Sequence, residues 1–206
     1  MNIEQVMTLA PVIPVLVIDE VDHAIPIAEA LVAGGLPALE VTLRTDRALD
    51  VIREMNQVEG AVVGAGTVLN ELQLDEVLAA GAKFIVSPGL TERFCWATRE
   101  RGVPFLPGIA TASEIMLGLE HGLRHFKFFP ASASGGVAAL SALAAPFGQC
   151  NFCPTGGITA QSALEWLSIP QVLCVGGSWI VPKGIPDQAG ITARAKAARL
   201  GLVVDI

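Results

Sequence analysis

The chain has 206 residues, of which 52% are hydrophobic, and a formal net charge of −7. That length can bury one large core, and the acidic balance argues against a nucleic-acid or anionic-membrane surface. Apolar residues come in short runs broken by Gly and Pro, with no stretch of about 18 uncharged apolar residues able to span a bilayer. The start, Met1-Asn2-Ile3-Glu4-Gln5, lacks a basic leader region, so a cytoplasmic protein is expected. A phosphorylated small substrate stays open, because backbone N–H groups hold phosphate without net positive charge.

Taken in chain order, β-branched or aromatic runs alternate with segments of helical periodicity. Val12 to Ile18 precedes a helix over Ala24 to Ala33; Ala38 to Leu43 precedes Asp46 to Asn56; Ala61 to Val68 precedes Leu72 to Ala80. Phe84 to Pro88 is followed by Glu92 to Arg101, and Phe105 to Ile109 by Ala112 to Glu120. His125 to Pro130, Asn151 to Thr155 and Val172 to Gly176 lead into helices over Gly136 to Leu143, Ala160 to Leu167 and Gln188 to Leu200. Strands that lack strict alternation and are separated by single helices imply a parallel sheet covered by helices. Eight such units predict an α/β fold, a single (β/α)8 TIM barrel over residues 1–206, short for its class. A doubly wound open sheet is the alternative, but Val17-Ile18-Asp19-Glu20 carries no Gly-x-Gly-x-x-Gly loop after the first strand.

Chemistry in such a barrel sits at the C-terminal ends of the strands, which ranks the lysines. Lys83 starts a strand, Lys196 lies on the last helix and Lys183 follows the last strand in a Pro-rich loop; Lys127 alone lies inside a strand near its C-terminal end. Desolvation in its aromatic run favours a neutral amine that attacks carbonyls, whereas a snorkelling lysine would keep its head in water. Period-two alternation puts His125, Lys127 and Phe129 on one face and Phe126 and Phe128 on the other. On the second strand Glu40, Thr42 and Arg44 share the face opposite Leu39, Val41 and Leu43. Glu40 and Arg44 read either as a structural ion pair or as a proton relay beside a guanidinium clamp for a substrate carboxylate. Thr67, on the same parity as Val63 and Ala65, offers a hydroxyl to that carboxylate.

Two glycine pairs, in Thr155-Gly156-Gly157 and Gly176-Gly177-Ser178, close the seventh and eighth strands, where many barrels bind phosphate. No Walker loop, HExxH or EF-hand pattern occurs, and His23, His121 and His125 are badly spaced for a shared metal, so no metal and no cofactor is expected. Cys150-Asn151-Phe152-Cys153 spells C-x-x-C but leads into a strand and has no second pair, which favours buried structural thiols at Cys95, Cys150, Cys153 and Cys174.

The segments Glu40-Val41-Thr42-Leu43-Arg44-Thr45, Gly64-Ala65-Gly66-Thr67-Val68, Ser87-Pro88-Gly89, Phe126-Lys127-Phe128-Phe129-Pro130-Ala131, Pro154-Thr155-Gly156-Gly157-Ile158 and Gly176-Gly177-Ser178-Trp179, in this order, resemble the bacterial 2-keto-3-deoxy-6-phosphogluconate aldolases, a family often active on 4-hydroxy-2-oxoglutarate. The resemblance implies a metal-independent class I aldolase, a homotrimer, that releases pyruvate and glyceraldehyde 3-phosphate from a 2-keto-3-deoxy sugar acid phosphate. It implies Lys127 as the Schiff-base lysine and Glu40 as the general acid/base. Arg44 and Thr67 would hold the pyruvyl carboxylate, with Pro88 and Phe129 shaping the pocket. Thr155, Gly156, Gly157, Gly176, Gly177 and Ser178 would receive the distal phosphate. Ser132 and Ala138 depart from the acidic residue and the lysine common in relatives. An aldolase for the C4-epimeric galactonate, a sugar-phosphate isomerase or epimerase, and a non-catalytic binder on the same scaffold are the alternatives.

Overall fold

A computed structural model describes residues 1–201; the predicted domain over 1–206 therefore includes five residues, 202–206, outside the described ones. The strands are β1 Val12–Leu16, β2 Ala38–Thr42, β3 Val62–Gly66, β4 Ile85–Val86, β5 Phe105–Leu106, β6 Gly108–Ile109, β7 His125–Phe128, β8 Asn151–Pro154 and β9 Val175–Gly177. The α-helices are α1 Ile3–Met7, α2 Ala24–Ala33, α3 Ala48–Met55, α4 Glu71–Ala79, α5 Glu92–Glu100, α6 Ala112–Glu120, α7 Gly136–Ala144, α8 Ala163–Leu167 and α9 Gln188–Leu200. Several start where a side chain satisfies an otherwise unpaired N–H: Asn70 accepts from Gln73, and Thr111 forms a reciprocal box with Glu114.

All strand pairs are parallel, as the alternation of strands and helices predicts. They form a six-stranded sheet ordered β5-β4-β3-β2-β1-β9 and a three-stranded sheet ordered β6-β7-β8. The fifth expected strand is split at Pro107, with β5 pairing to β4 and β6 to β7. Proline has no N–H for the ladder, so the chain changes partners there while its carbonyl still accepts from Lys127 N–H at 2.8 Å. At the other junction, isolated bridges join Phe152 to Val172 and Thr155 to Gly176. The last expected strand shifts accordingly. Leu173 N–H donates to Phe152 O, but Val175 N–H donates to Pro11 O, so the segment leaves β8 for β1 two residues later.

The strands bury both faces. Leu39, Val41, Val63, Ala65, Phe126 and Phe128 face outward into a helix-covered layer. The inner cluster at the strand starts contains Ile13, Ala38, Phe84, Leu106 and Cys174. Into it α1, an element the sequence pattern did not suggest, inserts Val6 and Met7, both fully buried. Burying two such side chains stabilises by about 3–6 kcal/mol before ordering costs and stoppers the N-terminal end of the strands. The C-terminal end stays open.

Candidate active site

Lys127 lies on β7 one residue before its C-terminal end, and strand parity turns its side chain away from the Phe126 and Phe128 layer. It is 6% exposed, which rules out the snorkelling arrangement, and its Nζ donates to Glu40 Oε1 at 3.2 Å. Glu40, 3% exposed, stands at the middle of β2 opposite Val15 of β1 and Gly64 of β3. Its partner is thus Lys127 and not Arg44, which removes the Glu40–Arg44 ion-pair reading. A glycine makes the pair possible: a Cβ on Gly66 would collide with Glu40 Oε1. Nζ also lies 5.1 Å from the centroid of the Phe129 ring, within cation–π range.

Lys127 stands at the wall of a cavity of ≈ 420 Å³, a size suited to a small metabolite. Lys127 lines it directly, with Glu40 just behind. Arg44 and Thr67, beyond the ends of β2 and β3, line it together with Pro88 and Phe129, beyond β4 and β7. So do Thr155, Gly156 and Gly157 beyond β8, Gly176 of β9 and Ser178 just after it. Gly177 is off the wall, because the space at its Cα is filled by the Trp179 ring.

Two of these residues arrive by routes that alternation does not describe. Arg44 lies beyond the end of β2, in a bend, with its Nε donating to Thr42 Oγ1 at 3.3 Å. Thr42 itself is structural: its hydroxyl donates to Leu16 O at 2.8 Å and ties β2 to β1. Thr67 shares parity with Val63 and Ala65, both of which face the helices, so alternation alone would turn it away from the cavity. Instead its φ is +61°, an unusual conformation for a β-branched residue, and this reversal of backbone handedness re-aims the side chain inward. Strain of that kind costs on the order of 1–3 kcal/mol and concentrates at functional sites.

Beyond β8, Gly156 and Gly157 have φ of +103° and +75°. A Cβ on Gly157 would come 2.6 Å from Ser132 Oγ, so the loop seats itself against the small Ser132 side chain. Gly176 is needed for close approach, since its Cβ would strike Thr155 Oγ1. The cavity also takes in Val15, Val17, Ile158 and Lys183, which sequence reasoning passed over. For Lys183 the signal was its position in the loop after the last strand, the region where barrels bind anions.

The four cysteines are buried and free. Burial pushes the Cys95 thiol up to about 11, burial also raises Cys150, and a hydrogen bond with Cys153 together with burial raises Cys174. Thiols held protonated in this way are poor nucleophiles and poor metal ligands, in keeping with a structural role.

Chemically, a buried amine beside a carboxylate can exchange a proton with it while the amine attacks an electrophile. A guanidinium and a hydroxyl nearby can hold an anionic group of that electrophile. The chain as a whole is similar to known proteins. A family model described as KDPG and KHG aldolase matches residues 3–194. The chain is 52% identical over 197 residues to the KHG/KDPG aldolase of Escherichia coli strain K12, covering 95% of this chain and 92% of that one. The crystal structure of the 2-keto-3-deoxy-6-phosphogluconate aldolase of Zymomonas mobilis ZM4 with 3-phosphoglycerate superimposes with a TM-score of 0.95 at 57% identity, over 96% of this chain and 95% of that one. The KDPG aldolase of Legionella pneumophila, with pyruvate captured at low pH as a covalent carbinolamine intermediate, gives a TM-score of 0.93 at 45% identity, over 97% and 98% of the two chains. From a family match along nearly its whole length and identities near one half, the chain belongs to the KDPG and KHG aldolase family.

Proposed function

We propose that the protein is a class I aldolase that cleaves 2-keto-3-deoxy-6-phosphogluconate to pyruvate and glyceraldehyde 3-phosphate, with 4-hydroxy-2-oxoglutarate as a second substrate. The observation that carries this is the buried contact of 3.2 Å between Lys127 Nζ and Glu40 Oε1 at the wall of an open cavity. Glu40 takes a proton from Nζ, and the free amine adds to the C2 ketone. Returning that proton to the carbinolamine hydroxyl expels water and leaves an iminium. Glu40 then removes the C4 hydroxyl proton, the C3–C4 bond breaks, and its electron pair passes into the iminium as an enamine while the aldehyde departs. Protonation at C3 and addition of water at C2 release pyruvate and restore Lys127. The imine nitrogen is the electron sink, so the cycle calls for no metal and no cofactor.

Arg44 and the Thr67 hydroxyl are the proposed partners of the C1 carboxylate, and the loops at Gly156–Gly157 and Gly176–Ser178 are the proposed seat of the phosphate. The carbinolamine captured in the Legionella relative and the 3-phosphoglycerate bound to the Zymomonas relative support the two ends of this reading. The same proposal takes the two sheets as one closed (β/α)8 barrel forming a single domain. In support, β5 and β6 are separated only by Pro107, and two bridges link β8 to the segment running into β9. It also includes a cytoplasmic homotrimer.

Borohydride reduction in the presence of pyruvate tests the mechanism. A reduced pyruvyl adduct on the peptide carrying Lys127 is expected, and Lys127→Ala abolishes both the adduct and turnover while keeping the wild-type unfolding transition. An isomerase or epimerase using Glu40 as its base would give no adduct, and a binder would give no turnover. Measuring kcat/KM on both C4 epimers and on 4-hydroxy-2-oxoglutarate ranks the substrates.

A further inference from the structure

We infer that Lys183 is a specificity residue whose ammonium group engages the distal phosphate, so that this chain favours phosphorylated six-carbon substrates over short dicarboxylates. The inference rests on the aldolase reading above.

Three cationic side chains line the cavity: Arg44, Lys127 and Lys183. Lys127 is committed to Glu40, and Arg44, its Nε on Thr42 Oγ1, to the proposed carboxylate site. The proposed phosphate seat is built from neutral groups of Gly156, Gly157, Gly176 and Ser178, whose N–H dipoles suit a phosphate but carry no net charge. Lys183 lines the same cavity, only five residues beyond Ser178 in the loop after β9, and is exposed. Among the described residues no carboxylate pairs with it.

A side chain of this kind, long, charged and uncommitted on a cavity rim, has a further consequence in a chain of net charge −7. The molecule as a whole repels a substrate bearing a carboxylate and a phosphate, and a local cation at the cavity mouth offsets that repulsion where the substrate enters. In 4-hydroxy-2-oxoglutarate C5 is itself the terminal carboxylate, so the molecule is shorter than the six-carbon acid with its phosphate on C6. The gain is therefore selective.

An exposed lysine on a phosphate contributes a modest, salt-sensitive amount. Lys183→Ala is expected to raise KM for 2-keto-3-deoxy-6-phosphogluconate about fivefold at low salt with kcat within about twofold of wild type. This is the pattern of lost binding that is equal in ground and transition states. The ratio of kcat/KM for that substrate over 4-hydroxy-2-oxoglutarate falls by a similar factor, the difference shrinks in 0.5 M NaCl by screening at about 3–4 Å, and Lys183→Arg restores most of it. Glycerol 3-phosphate, titrated into wild type and Lys183→Ala, gives a second readout independent of turnover. Weaker binding by the variant supports the inference; equal binding, an unchanged KM, or an equal loss on both substrates overturns it. If the wild type fails to cleave the phosphorylated substrate, the aldolase reading falls, whereas the glycerol 3-phosphate comparison still decides the role of Lys183.

Discussion

The site turns on small distances around one carboxylate. Glu40 can lie against Lys127 because Gly66, on the neighbouring strand, has no side chain, and a Cβ there would meet Glu40 Oε1. Gly66→Ala is therefore expected to push the carboxylate off its proposed proton-transfer position. A misplacement of about 1 Å costs on the order of 100-fold in kcat. Gly64→Ala provides the contrast, since the atoms nearest its Cβ belong to the Phe84 ring and not to Glu40. That variant is expected to lose about 1–3 kcal/mol of stability from overpacking while keeping far more activity per folded molecule. Steady-state kinetics and urea unfolding on both variants check the pair, and equal activity losses would show that Gly66 has no special relation to Glu40. Lys127 and Glu40 were legible in the sequence because they sit within regular strands, where parity dictates the face. Thr67 was legible only as a motif, since its left-handed backbone breaks the parity that would have placed it. Lys183 was passed over because a loop side chain has no period to betray its direction.

At the level of elements, parallel pairing and the order of helices followed from apolar runs at regular spacing, whereas strand ends did not. The split at Pro107 and the late start of β9 come from changes of hydrogen-bond partner, which depend on neighbours far away in sequence. The helix α1 was missed because five residues are too few for a periodic signal. It nevertheless brings Glu4 to the foot of β7, where Glu4 Oε2 lies 3.9 Å from His125 Nε2, a buried atom with no hydrogen-bond partner among the described residues. Burial holds the His125 imidazole below its ordinary value of 6.5, against the opposing pull of Glu4. The unfolded chain then takes up this proton first as pH falls. Stability should drop from pH 6.5 downward and stop dropping on this account once the lowered folded value is passed. His125→Gln is expected to flatten that limb, read as urea midpoints between about pH 7.5 and 5.5, above the range where most carboxylates titrate. Parallel curves for the two proteins would show that His125 contributes nothing to acid sensitivity.

For the whole molecule, the outer surface carries a feature that the fold does not need. Leu69 is 59% exposed, Leu72 69% and Trp96 49%, on the segment leading into α4, on α4 itself and on the adjacent α5. Arg93 and Glu71 form an ion pair between these two helices, so the apolar residues lie beside a charged pair, the mixture found where an interface has an apolar centre and a polar rim. Scattered apolar residues need no explanation, but we propose that this group on neighbouring helices is an interaction surface. Other copies of this chain are the proposed occupants, in the homotrimer that the family resemblance implies. Light scattering on the wild type is then expected to give three times the 21.5 kDa chain mass. Leu72→Asp places a charge in the proposed interface, and desolvating it there without a partner costs several kcal/mol. The variant should therefore sediment as a smaller species while each chain stays folded by circular dichroism. Lys127 and Glu40 are supplied by the same chain, so the dissociated variant is expected still to form the reduced pyruvyl adduct on Lys127. Loss of the adduct on dissociation would mean that the site depends on a neighbouring copy, and an unchanged mass would move the interface to another face.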